Sequence, residues 1–307
     1  MSTQSNAVSE RPMATQGAAP AVISPYQRFY WSVRREVWEN RSLYLAPAAV
    51  AVFLIVGLLI GVTRHASFMV TTDSGTHAPG VGAAYDVASS AIMGVALIVG
   101  VFYCLSTLHG ERRDRSILFW KSLPVSDTTA VLGKAAIPYV VLPAIMMALI
   151  VVTHLAILLI LSVAGAAEGQ GMAAALPDHG LLQTWGGTLY HLVTVHVLWY
   201  APIFAYLMMV SAWAKRAPFL WAVVPPVVAG IVEKIAFNTD YVFRFLGDRL
   251  TGGSSGAVGP GGGMKLEAMP MMAPLHFLAS PGLWGGLIVA ALFLAVTVRL
   301  RRSGGLI

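Results

Sequence analysis

Six stretches of this sequence are apolar for about as long as a lipid bilayer is thick. The first, residues 43–62, reads LYLAPAAVAVFLIVGLLIGV without a single charged side chain. At 1.5 Å per residue, about 20 residues of helix cover the roughly 30 Å of hydrocarbon in a bilayer. Comparable blocks run over 84–108, 137–164, 189–213, 218–235 and 283–300. Short charged segments separate them. Composition points the same way. Charged residues make up 11% of the chain and hydrophobic residues 57%, whereas soluble domains carry about 25% charged residues. The spacing predicts an all-α polytopic membrane protein with six transmembrane helices. Residues 43–300 form that domain, 1–24 a disordered tail and 301–307 a short cytoplasmic tail.

Orientation follows from lysine and arginine placement, because cytoplasmic segments collect positive charge. Arg11, Arg28, Arg34, Arg35 and Arg41 precede the first block. Arg112, Arg113, Arg115, Lys121 and Lys134 lie between the second and third. Lys215 and Arg216 lie between the fourth and fifth, and Arg299, Arg301 and Arg302 end the sixth. With six spans these four segments share one side and hold 15 of the 20 basic residues. Both chain ends are therefore expected in the cytoplasm. The formal charge of +6 flanks apolar blocks and forms no continuous face, which argues against nucleic-acid binding. The single cysteine, Cys104, lies inside an apolar block, so no internal disulfide or cysteine metal site is expected. The first block lies too far along the chain, and is too long, to be a signal peptide. A retained anchor in a bacterial inner (plasma) membrane is expected.

Residues 25–42 carry Tyr26, Phe29, Tyr30, Val33 and Val37 at helical spacing, with Arg28, Arg34, Arg35 and Glu39 largely on the other face. This predicts an amphipathic helix at the cytoplasmic interface. Prolines at 138, 143, 202, 225 and 226 fall inside expected spans and should bend them. The outer loop 236–281 contains a Gly/Ser linker at 251–263 and a short charged helix in which Asp240 and Arg244 are spaced to pair. His154, His191 and His196 lie in or near spans, where interhelical hydrogen bonding is the expected role. His191 and His196, five apart, lie about 140° apart around an α-helix and should not share a face. Met269, Met271, Met272 and His276 read as an apolar segment before the last span rather than a copper site.

The most informative segment is the loop 109–135. It runs from charged residues through Ile117, Leu118, Phe119 and Trp120 to a break at Ser122-Leu123-Pro124. Ser126 or Asp127 can then cap a helix that continues through Lys134. Exposed apolar residues in such a loop need a surface to cover them. The run Glu111, Arg112, Ser116, Ile117, Phe119, Lys121, Ser122, Leu123, Pro124, Val125, Ser126 and Lys134 resembles the loop joining the second and third spans in permease subunits of ATP-binding cassette exporters of the type-2 class. The loop match covers about 25 residues, and six spans with an interfacial helix fit the same class.

What the resemblance implies is mechanical. The loop would hold a coupling helix that docks on a separate ATP-binding subunit, and two permease copies or paralogues would join two such subunits. Arg112, Arg113 and Arg115 would face acidic groups of the ATPase, and Glu111 would tie the lever to Arg34 or Arg35. The chain itself is expected to be non-catalytic. It contains no G-x-x-x-x-G-K-[ST] run, so ATP and Mg would bind the partner, and this chain would hold no cofactor or metal. The alternatives are a secondary transporter or channel, which would favour paired intramembrane carboxylates, and a polytopic membrane enzyme, which would need a convergent catalytic set.

Overall fold

A computed structural model describes residues 24–64, 81–114, 126–167, 169, 172–177, 180–250 and 277–303. Regular structure among them is entirely helical. Helix α1 (Pro25–Glu39) opens with a capping box. The Ser24 hydroxyl accepts from the Gln27 N–H at 3.2 Å, and the Gln27 side chain accepts from the Ser24 N–H at 3.3 Å. After α1 come α2 (Ser42–Thr63), α3 (Val81–Arg113), α4 (Asp127–Ala167), α5 (Leu181–Trp199), α6 (Ala201–Trp213), α7 (Pro218–Phe237), α8 (Tyr241–Leu250) and α9 (Pro281–Ser303).

Helices α2, α3, α4, α7 and α9 are each long and apolar enough to cross a membrane; α5 and α6, bent by 45° to each other, pass the same test only as a pair, as a broken span or a re-entrant loop. Much of this apolar surface is outward-facing. In α2 only Leu43, Pro47 and Ala51 are buried; Leu45, Val52, Phe53, Val56, Leu59 and Ile60 are exposed. A water-soluble protein rarely shows so large an apolar face. The chain is a multi-pass membrane protein.

The expected spans are found with altered edges. The second extends at both ends, to Val81 and Arg113. The third runs back without a break to Asp127, a helix of 41 residues. The fourth begins at Leu181 rather than 189 and breaks at Tyr200. The N-terminal tail, the 251–263 linker and the methionine-rich segment 264–276 lie outside the described residues.

The packed centre lies where α3, α4 and α6 meet. Gly100 lets the chains close there: a Cβ on it would sit 3.0 Å from Leu142 Cδ2 and 3.5 Å from Phe204 Cε1. Ala96, Met146, Leu192 and Met208 fill the same core. Nearer the far end, His154 is fully buried. Its Nδ1 accepts from Trp185 Nε1–H at 3.2 Å, so Nε2 carries the proton and lies 3.1 Å from the Tyr85 carbonyl and 3.0 Å from Ser89 Oγ. His154 is thus the expected interhelical hydrogen-bonding residue, joining α3, α4 and α5.

Two helices widen into π turns, over Ile137–Val141 and Leu192–Trp199. Both widenings have prolines beside them. A proline ring in a helix clashes with the carbonyl four residues back and has no N–H to offer. Ahead of Pro143, Leu142 N–H bonds five residues back to Ile137. Ahead of Pro202, Tyr200 N–H bonds five residues back to Val195. The second π turn also revises the histidine geometry. A turn closed at i→i+5 holds an extra residue, so the roughly 140° separation of an α-helix does not apply to His191 and His196. His196 is buried against Tyr200 and Phe204, and its Nε2 has no hydrogen-bond partner among the described residues.

Helix α8 closes over the break in the α5–α6 span. Arg249, 4% exposed, donates from Nη1 to the Trp199 carbonyl at 3.1 Å and from Nη2 to the Gly282 carbonyl. Its guanidinium lies 4.2 Å from the Trp199 ring centroid. Gly286 leaves room for it, since a Cβ there would collide with the guanidinium. Glu233 caps the start of α8, accepting from the N–H groups of Tyr241 and Val242, both at 2.8 Å. The expected Asp240–Arg244 pair is present at 2.9 Å.

Helix α1 lies against the start of α4, with Gly133 at the contact. A Cβ on Gly133 would fall 2.7 Å from Ser32 Oγ and 3.3 Å from Ser32 Cβ. Gly133→Leu is expected to push α1 off α4 and cost about 1–3 kcal/mol, typical of overpacking. A melting curve in detergent, alongside a Gly110→Leu control at an open position, checks this.

Candidate functional site

At one end of the bundle, five charged side chains from four helices meet, four of them buried and the fifth, Asp127, partly exposed. Helix α1 supplies Glu36, α3 supplies Glu111, α4 supplies Asp127 and Lys134, and α9 supplies Arg301. Lys134 has three N–H donors, and all three find acceptors: Glu36 Oε1 at 2.7 Å, Glu111 Oε1 at 3.1 Å and Thr107 Oγ1 at 3.1 Å. The second oxygen of Glu36 accepts from the Tyr103 hydroxyl at 2.9 Å. The second oxygen of Glu111 accepts from Arg301 Nη1 at 2.6 Å. Arg301 Nε reaches on to Asp127 Oδ1 at 3.2 Å. Arginine suits that bridging position, because its planar fork can serve two carboxylates at once.

Local structure puts each group in place. Glu36 shares a helical face with Val33 and Val37, which pack on the core, and is itself buried. Asn40 closes α1 just beyond it, donating from its side chain to the Glu36 carbonyl at 2.9 Å. Ser126 is the cap of α4, accepting from the Thr129 N–H at 3.1 Å, and this sets Asp127 in the first turn. Lys134 sits one helical stretch later, just before the π turn. Arg301 and Arg302 lie in the last turn of α9, and Arg302 donates to Thr128 Oγ1 at 3.1 Å.

Burying ions is costly, and their attraction offsets the cost only where every oxygen and proton is matched. Here the side chains of Glu36, Lys134 and Arg301 are about as buried as core residues, at 4%, 5% and 5% exposed, and their partners are in place. The arrangement fixes four helix ends to one another.

The loop 109–135 therefore starts and ends on this node. Glu111 holds its beginning, Asp127 and Lys134 hold its end, and Arg301 bridges Glu111 to Asp127. Arg112 adds a further tie to the end of α6, donating to the carbonyls of Ser211 and Ala214. Basic groups suit the carbonyl end of a helix. Arg113 pairs with Asp114 at the surface. Arg115, Ser116, Phe119, Lys121, Ser122, Leu123, Pro124 and Val125 lie outside the described residues.

One expected pairing is corrected. Glu111 was to reach Arg34 or Arg35. The structure pairs it with Lys134 and Arg301 instead, while Arg35 pairs with Glu39 at 2.6 Å and Arg34 stacks on indole rings. The tie between α1 and the loop runs through Glu36, an acid placed among the apolar residues of that face. Arg28 is on α1, half-buried. Sequence reasoning missed Glu36, Asp127, Tyr103, Thr107 and Arg301 as members of the node. Glu36 carried a readable signal, a lone carboxylate in line with Val33 and Val37. Arg301 did not, since a basic residue after a span is the ordinary positive flank.

Among the described residues there is no cluster of His, Cys, Asp or Glu able to hold a metal ion. No known protein family, curated protein or solved structure matches the chain.

Proposed function

We propose that this chain is the membrane-spanning permease subunit of an ATP-driven exporter, with its basic end in the cytoplasm. The observation that carries this reading is the anchoring of both ends of the 109–135 loop on one buried ionic node. A force applied to the tip of a loop held this way passes into α1, α3, α4 and α9 together, rather than being absorbed by a loose hinge. That is the mechanical property a docking loop needs. The loop sequence, with its Ser-Leu-Pro-Val-Ser stretch, resembles the coupling segment of type-2 permeases. ATP and Mg would bind a separate ATPase subunit, and a second permease copy or paralogue would complete the translocation path in the inner membrane.

The test is a pull-down of the tagged protein from its native host, with ATPase activity measured on the eluate. The expected result is co-elution of a P-loop ATPase with wild type and its loss, or the loss of its regulation, with the Leu123→Ala/Pro124→Ala double variant. A protein that elutes with no ATPase bound would overturn the proposal in favour of a secondary transporter or channel.

A further inference from the structure

Helix α1 has two unlike faces, and only one is used by the bundle. Ser32, Val33, Glu36 and Val37 turn inward, against Gly133, the core and Lys134. The opposite face carries Trp31, Arg34 and Trp38, and Tyr26 and Tyr30 are exposed beside it. Trp31 is 56% exposed and Trp38 68% exposed. Between them lies Arg34, its guanidinium carbon 5.0 Å from one indole centroid and 5.2 Å from the other. Arg35, the next residue, is neutralised by Glu39; Arg34 has a carboxylate partner nowhere among the described residues.

We propose that this outward face of α1 binds the phosphate headgroup of an acidic glycerophospholipid. The aromatic residues supply the lipid side of the recognition. Tryptophan and tyrosine concentrate at the depth of the headgroups, where an apolar ring and a polar edge are both satisfied. Arg34 supplies the charge side. Cation–π contact with two indoles holds the guanidinium in place, and its N–H groups can meet a phosphate with two parallel bonds. The position is right as well. Two residues, Asn40 and Arg41, separate α1 from α2, so α1 lies beside the end of a membrane-crossing helix, at headgroup level. The inference needs the membrane assignment but not the exporter reading.

The test uses the full-length protein in mild detergent, titrated with phosphatidylglycerol or phosphatidylcholine, with bound lipid counted by native mass spectrometry. Wild type is expected to prefer phosphatidylglycerol. Arg34→Gln should weaken that binding about tenfold, the scale of one bidentate charged contact. Arg41→Gln, an equal charge change on an exposed neighbour, should weaken it less than about twofold. Trp31→Ala with Trp38→Ala should also lower it with no change in charge. Melting temperatures close to wild type would show that these variants fold. Equal losses in Arg34→Gln and Arg41→Gln would overturn the proposal in favour of diffuse charge attraction. Absence of any phosphatidylglycerol preference would also overturn it, as would displacement of the lipid by an equal concentration of free glycerol phosphate.

Discussion

Lys134→Met should destabilise the protein by about 3–5 kcal/mol, the cost of leaving the buried Glu36 carboxylate without its cation. Methionine keeps the length and most of the apolar stem of lysine. What it removes is the single group that Glu36, Glu111 and Thr107 share. Glu36 would then keep only the Tyr103 hydroxyl, while Glu111 keeps Arg301. The measurement is thermal or chemical denaturation in detergent. Adding Glu36→Gln to Lys134→Met should recover part of the loss, because the amide carries no charge to strand and Tyr103 can still donate to it. A loss below about 1 kcal/mol, the range of a solvated surface pair, would mean that solvent enters the node, and the rigid-lever argument would fail with it.

Arg249→Leu is expected to release α8 from the break in the α5–α6 span. The substitution strips donors from the Trp199 and Gly282 carbonyls and removes the stacking on Trp199. The Trp199 carbonyl has a particular need for that donor. Ile203 N–H, four residues on, bonds to the Tyr200 carbonyl, as the proline-broken turn tightens. Hydrogen bonds to charged groups contribute about 1.5–3 kcal/mol each, so local opening of 241–250 should become at least tenfold more frequent. Hydrogen exchange over 241–250 reads this directly. Arg244→Leu is the control. Its pair with Asp240 is exposed, and its loss should leave exchange within about twofold of wild type. Equal protection in both variants would show that α8 is held by its apolar face and by the Glu233 cap instead.

The spans were legible because a bilayer imposes a minimum length and excludes charge, and both leave plain marks in a sequence. Residues 43–62 and 218–235 were found to within a few positions of α2 and α7. The fourth span was harder. Its first part, from Leu181, mixes Gln183, Thr184, Trp185 and Gly186 with leucines, and no apolar run marks its start. In α1 the sequence grouped Tyr26 and Tyr30 with Val33 and Val37, and the structure leaves both tyrosines exposed while the valines pack on the core. The ionic node was least legible of all. Its members are spread from residue 36 to residue 301, and only the packing of α1, α3, α4 and α9 makes them neighbours. Sequence spacing within one helix carries no trace of such contacts. The α4 cap, by contrast, lies within the four residues Ser126 to Thr129, and the sequence narrowed it to Ser126 or Asp127.

The two π turns bear on how sequences of this kind should be compared. A ring closed at i→i+5 encloses one more residue than one closed at i→i+4, so each widened turn carries a surplus residue. Past that point every side chain is rotated by about 100° from where an uninterrupted α-helix would place it. A relative lacking one residue between His191 and Tyr200 would present the same buried face from Phe204 to Val210 with an ordinary helix before it. An ungapped alignment would read that relative as out of phase through the rest of the span. A one-residue gap placed inside 192–199, or inside 137–141, is therefore where an alignment of distant relatives should be opened.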